Sequence, residues 1–416
     1  MEQATPSPTF LSMPTHTNCL AKRNIGDWLF ALAVIAGTGF AYHRLVHVMD
    51  GTDIAILILH ALLLIAVGWL WRPFRLFSVT VAALALFSIW LYQGDLTRSI
   101  DKETLNGVVK GVFFLKYLLS SQSAISWMSA FIFMATGAYW IGLAARSSFA
   151  ERTGSALTWW SAVMGTVGLC VRWHESWLLS PETAHIPISS LYEVMVFFCL
   201  VTALLYLFYE NRYNTRKLGA FILPIISIAA VYMLWLAFNT TAYQIQPLTA
   251  PLRSYWMKIH VPANFIGYGG FTIAAMVGVA YLLVFGAETP SPQENRPPLG
   301  LRASLAGHLP EPRVLEDIMY KAIAIGFAFF TVATILGALW AAEAWGGYWS
   351  WDPKEVAALI VWLNYAVWLH MRLTRNLRGT TLAWWAFVGL FVSVFAFIGV
   401  NTFLGGLHSY GNVSGS

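Results

Sequence analysis

The sequence predicts an all-α polytopic integral membrane protein of about eleven transmembrane helices, with its N-terminus inside and its C-terminus outside. Three observations carry this. Of the 416 residues, 58% are hydrophobic and 11% are charged. Soluble domains carry about 45–50% apolar and about 25% charged residues, so a soluble core cannot absorb the excess. The apolar residues also fall in blocks, most of them close to the roughly 20 residues that cross a bilayer as helix. Finally, Lys and Arg segregate to alternate connections, which sets orientation.

The blocks lie near 28–48, 54–71, 76–92, 125–145, 155–172, 189–209, 218–238, 260–285, 321–342, 354–371 and 380–401. The stretch 107–122 is different: Lys110 and Lys116 interrupt it, and it reads as an amphipathic segment lying at the surface. With the N-terminus inside and strict alternation, 16 of the 25 basic residues fall on the inner side. The same count makes the net charge of +5 a membrane-orientation signal and argues against a nucleic-acid partner. Residues 1–27 are polar and rich in Pro and Thr, without the apolar core of a cleaved signal peptide. The segment 286–317 reads as a solvated, Pro-rich inner linker.

Cys19, Cys170 and Cys199 form no CxxC pair, which argues against thiol redox chemistry or a structural zinc site. No CxxCH occurs, so the chain carries no covalent c-type haem of its own. No GxxxxGK[ST] loop is present, so any ATP would act through a partner.

The outer segments hold the chemistry. They are 172–188, 239–259, 343–353 and 402–416. The third contains Trp345, Gly346, Gly347, Tyr348, Trp349, Ser350, Trp351 and Asp352. Indole rings offer broad apolar faces to a flat ligand, and glycines let backbone come close to one. An interfacial aromatic belt would use the same tryptophans but does not require Gly-Gly between them. Asp352, Pro353 and Glu355 have the spacing of an N-cap, a first helical proline and a capping box. Glu193 opens another helix, either as a first-turn acid or as the partner of Arg172. His174 and His185 read as outer-loop residues, His43 and His47 as interfacial ones. His60 lies in mid-span, where an ionisable group is functional by default.

The run WGGYWSWDPKEVAALIVWLNYAVWLH at 345–370 resembles the tryptophan-rich WWD signature of haem-handling membrane proteins. In detail it is similar to the CcsA (ResC) family of System II cytochrome c biogenesis. IPISSLYEV at 186–194, WMKIHVPANFIGYGGF at 256–271 and GVNTFLGGLHSYG at 399–411 match the same family in order. The resemblance covers roughly 155–411. It implies a haem-handling assembly domain over 121–416, preceded by an N-terminal membrane region, 1–120, of about three helices without a recognised motif.

Haem iron takes two axial ligands, and imidazole is a common one. His260 and His408 fall at the outer face beside the tryptophan segment, and the resemblance makes them the two outer ligands. It makes His370 an inner ligand whose counterpart lies on a CcsB (ResB)-type membrane partner. Transiently bound haem b, Trp345, Gly346, Gly347, Tyr348, Trp349, Trp351 and Asp352 complete the implied site. The implied function is shared synthase activity: haem is moved to the periplasmic or outer face of the bacterial inner membrane and presented to the CxxCH of apocytochrome c. Thiol-reducing pathway proteins would keep those cysteines reduced. The alternatives are a System I-type haem-handling protein, a haem transporter without ligation activity, and a purely structural membrane scaffold.

Overall fold

A computed structural model gives the fold and describes residues 23–47, 49–92, 100–180, 184–248, 250–285 and 307–404. Every long element is a helix, and among the described residues eleven are long and apolar enough to cross a membrane. They are α1 Ile25–Leu45, α2 Gly51–Leu70, α3 Pro73–Leu91, α5 Ser121–Ala145, α6 Ser148–Leu179, α7 Leu191–Tyr213, α8 Gly219–Asn239, α9 Met257–Phe285, α10 Pro312–Trp345, α11 Pro353–Thr374 and α12 Thr380–Phe403. The amphipathic stretch folds as the short α4 Lys102–Gly111 followed by a π turn, Leu115–Leu119.

The chain divides into two compact units, 1–78 and 79–416, with the boundary inside α3. In the first, Asn24 and Asp27 close a capping box at the start of α1, and Asp27 also pairs with Arg75. His60 is exposed on α2.

The second unit is built around α9, the most enclosed of the spans. Its packing depends on missing side chains. A Cβ on Gly270 would fall 2.8 Å from the Ala322 carbonyl and 3.0 Å from the Cα of Gly326, both on α10. A Cβ on Gly278 would fall 2.9 Å from the Ala383 carbonyl on α12. Small residues let membrane helices approach to backbone contact, where dispersion and weak polar contacts replace the absent hydrophobic drive. The α5–α6 pair uses the same device, with Gly165 against Met128 and Gly168 against Ile125.

Two helices run further than their apolar cores. The sequence reading ends the fifth span at 172 and treats 172–188 as an outer loop, but α6 continues to Leu179. Its last turns stay helical because their polar groups are satisfied. Glu175 accepts hydrogen bonds from the Tyr92 hydroxyl and from the backbone and hydroxyl of Ser121. His174 therefore sits on a helix, its ring edge-on to Tyr92 at 5.6 Å. The phenol of Tyr92, just beyond α3, is held protonated: burial first, then the Glu175 charge, push its pKa far up. Likewise α10 begins at Pro312, inside the segment read as linker, and reaches Trp345. Proline suits that first turn, where its missing N–H costs nothing.

The two helix ends of this unit carry different polar groups. At the end formed by the 375–379 connection, Glu316 of α10 accepts from the Gly379 N–H at 2.9 Å and lies 3.6 Å from Arg372 of α11. Ile188–Ser190, Leu252 and Tyr348–Trp349, from three other connections, meet around the candidate site.

Candidate functional site

A cleft of about 220 Å³, open to its surroundings, lies between α7, α9, α10, α11 and α12. All four sequence motifs contribute to its walls: Ile188–Leu191 and Val194 from the first, Met257, His260, Phe265 and Tyr268 from the second, Tyr348, Trp349 and Lys354 from the third, and Asn401 from the last, with Ala396 and Phe397 added from just before it. Residues far apart in sequence thus meet around one space.

The floor is aromatic. Phe265 stands edge-on to Phe397 at 5.2 Å, and Tyr268 contacts Phe330 at 5.4 Å and Phe397 at 5.6 Å. Phe397 belongs to the π turn Phe395–Gly399 inside α12. Such turns insert one extra residue and recur at functional sites.

His260 forms the wall between α9 and α10. Its Nδ1 lies 2.8 Å from the Ala333 carbonyl oxygen. A carbonyl only accepts, so Nδ1 carries a proton, and in the neutral ring the lone pair then lies on Nε2. A hydrogen bond to one ring nitrogen is how a ligating imidazole is oriented and its basicity raised. The ring has room because α10 has Gly337 opposite it; a Cβ there would fall 2.9 Å from Cε1 and 3.2 Å from Nδ1. The buried Trp340 stands edge-on to the imidazole at 5.7 Å.

The tryptophan-rich loop is held by its own chain. Gly346 ends α10 in the left-handed conformation, φ +81°. Asp352 caps α11, and Glu355 reaches back to the N–H groups of Ser350 at 2.7 Å and Asp352 at 3.1 Å. The capping box read from the sequence is present. Asp352 is buried at that cap. Trp351 takes φ +59°, a left-handed conformation that costs a bulky residue of order 1–2 kcal/mol. The three tryptophans differ in placement. Trp349 and Tyr348 line the cleft, Trp345 sits half-buried in the last turn of α10, and Trp351 is 71% exposed, edge-on to Trp349 at 5.9 Å. Gly347 has no positive φ, and a Cβ there would meet open space, so conformational need applies to Gly346 only.

The opposite wall is pinned from beneath. Glu193 serves both roles open in the sequence: Ser190 caps α7 with it, and its carboxylate lies 2.7 Å from Arg172 Nε. Both side chains are buried. The same carboxylate accepts from the Ser189 N–H at 2.9 Å, while the Ser189 hydroxyl lies 2.9 Å from His185 Nε2.

His370 is elsewhere. It is exposed on α11, sixteen residues beyond Lys354, about 24 Å along the helix axis. His408 lies outside the described residues. Sequence reasoning missed Gly337 and Lys354 as members of the site. The first has no local signal, and the second was visible only as a cation where a helix prefers an acid.

The fold and cleft define a multi-pass helical membrane protein with an apolar, histidine-bearing chamber open at one end of the bundle. Residues 188–408 match the family model described as cytochrome C assembly protein. The cytochrome c biogenesis protein CcsA of Gloeobacter violaceus is 32% identical over 69% of this chain and 95% of its own length. That of Synechococcus sp. (strain WH7803) is 31% identical over 72% and 98%. Among solved structures, a chain named cytochrome c heme lyase CcmF shares the fold, with a TM-score of 0.50 and 17% identity over 68% of this chain and 49% of that one. The chain belongs to the cytochrome c assembly family, among its CcsA proteins, and is a membrane protein of cytochrome c biogenesis.

Proposed function

We propose that the cleft receives haem b and presents it for attachment to the CxxCH motif of apocytochrome c. The observation that carries this reading is the convergence of four separated motifs on one aromatic chamber whose wall holds His260 as the Nδ1–H tautomer. Haem is the substrate of this reaction and leaves with the product. In the reaction each cysteine S–H adds across one vinyl C=C, sulfur to one carbon and hydrogen to the other, so no net electrons are transferred. No residue lining the chamber is required as a nucleophile for that addition. The protein orients the plane and excludes water, the usual contribution of a protein around such a group. Orientation of this kind is worth about 7–11 kcal/mol in favourable cases. A fold in common with a protein named a haem lyase is consistent with the reading.

The chamber faces the periplasmic or outer side, with the N-terminus inside and the C-terminus outside. His408 supplies the second axial ligand from the terminal segment. His370 belongs to an inner loading site completed by a CcsB (ResB)-type partner; its exposure on α11 supports a ligand shared with a second polypeptide. Residues 121–416 form the haem-handling part, and thiol-reducing proteins prepare the apocytochrome.

The test is His260→Ala in cells that also express the partner and a reporter cytochrome c. The variant loses covalent cytochrome, its purified form has an altered haem spectrum, and added imidazole restores part of both by occupying the vacated axial position. Parental cytochrome yield in His260→Ala would end the reading.

A further inference from the structure

The cleft contains one cation whose presence the helix that bears it does not explain. Lys354 is the second residue of α11. A positive charge there opposes the helix dipole, which favours acids in the first turn. Its side chain turns into the chamber, half-buried beside Trp349. Among the described residues its ammonium has one hydrogen-bond partner, the Oδ1 of Asn401 on α12. Among the described residues no ion pair within 4.0 Å includes it. Asp352 caps α11 and attracts the ammonium from beyond ion-pair distance, and Glu355 is occupied by Ser350 and Asp352. Burying an ammonium without a counter-charge is costly. A neutral amide offsets little of that cost, whereas a carboxylate would form a charge-assisted hydrogen bond.

We propose that Lys354 is the positioning residue for a porphyrin carboxylate: it pairs with one propionate of the substrate and so fixes which edge of the plane enters the chamber. The proposal rests on the haem reading above and adds to it a polar anchor on α11, separate from the iron ligand on α9. Two anchors on different helices define a rotation as well as a position. One axial bond leaves the plane free to spin about the iron–nitrogen axis, and an ion pair at its edge removes that freedom. The vinyl groups, at the opposite edge from the propionates, are then held at a set place for the incoming thiols. Asn401 holds the ammonium in place until the substrate arrives.

The test uses metal-free porphyrins, which remove any contribution from axial ligation. The purified full chain is titrated with protoporphyrin IX and with its dimethyl ester, following porphyrin fluorescence. The diacid binds the parent more tightly than the ester by about tenfold or more, the scale of one charge-assisted hydrogen bond. Lys354→Met removes that preference by weakening diacid binding about tenfold while ester binding stays at the parental level, which also shows that the variant is folded. Lys354→Arg retains the preference. Asn401→Asp supplies an internal carboxylate and lowers diacid binding without lowering ester binding. If Lys354→Met keeps the parental diacid preference, or loses both probes in equal proportion, Lys354 does not hold the carboxylate and the proposal fails. If the parent binds neither porphyrin, the haem reading itself fails and takes the proposal with it.

Discussion

His260 and Gly337 act as a pair. The ring donates to the Ala333 carbonyl across a gap that exists because residue 337 has no Cβ. Gly337→Ala places a methyl group 2.9 Å from Cε1, so either the ring turns or the helices part. Overpacking of this kind costs about 1–3 kcal/mol. The expected outcome is less haem per purified protein than parent, with an altered spectrum for what remains; unchanged content and spectrum would show that the gap has slack. The tryptophans separate in the same way. Trp349 lines the chamber, so Trp349→Ala lowers haem retention strongly and Trp349→Phe mildly, stacking being worth about 1–3 kcal/mol per aromatic at planar-ligand sites. Trp351 is exposed and held at φ +59°, so Trp351→Gly relieves backbone strain and changes haem retention least. A larger loss at Trp351 than at Trp349 would mean that the plane lies outside the chamber. The aromatic and glycine content of this loop was legible in the sequence. The division of labour within it was not, because nothing local shows that residue 351 adopts a left-handed conformation or which indole turns inward.

The elements hold the site by two devices, close backbone contact and buried polar pairs. Gly270→Ala introduces a Cβ 2.8 Å from the Ala322 carbonyl and must push α9 from α10, whereas a Cβ on Gly137 meets nothing within 4 Å. Thermal unfolding in detergent is expected to fall by several degrees for Gly270→Ala and to hold or rise for Gly137→Ala, since alanine is the better helix former by about 1 kcal/mol. Equal midpoints would contradict the packing account. The buried Arg172–Glu193 pair anchors the 184–190 wall. Glu193→Gln leaves the guanidinium without its counter-charge, and breaking a buried pair costs about 3–5 kcal/mol. Proteolysis within 184–190 should accelerate in that variant and not in the parent; identical digestion would show the pair to be dispensable. Helix number was legible because apolar run length reports it directly. Helix ends were less so. Polar turns such as Trp173–Ser176 resemble loop, and their helicity depends on Tyr92 and Ser121, whose proximity is a tertiary fact. The same limit hid Lys354, whose meaning depends on Asn401 forty-seven positions away.

At the scale of the whole molecule, presenting haem to an exported apocytochrome requires the chamber to face away from the cytoplasm. The bias of basic residues predicts that Ser350→Cys reacts with a membrane-impermeant thiol reagent in intact cells. Reaction only after lysis would reverse the topology. On the proposed reading, haem occupies the space bounded by His260, Trp349 and Phe397. An electron cryo-microscopy map of the chain purified with haem and its membrane partner decides whether it does. The expected result is planar density within that space, bonded through iron to Nε2 of His260 and directing one edge toward Lys354. An empty chamber, with haem density seated elsewhere on the molecule, would contradict it.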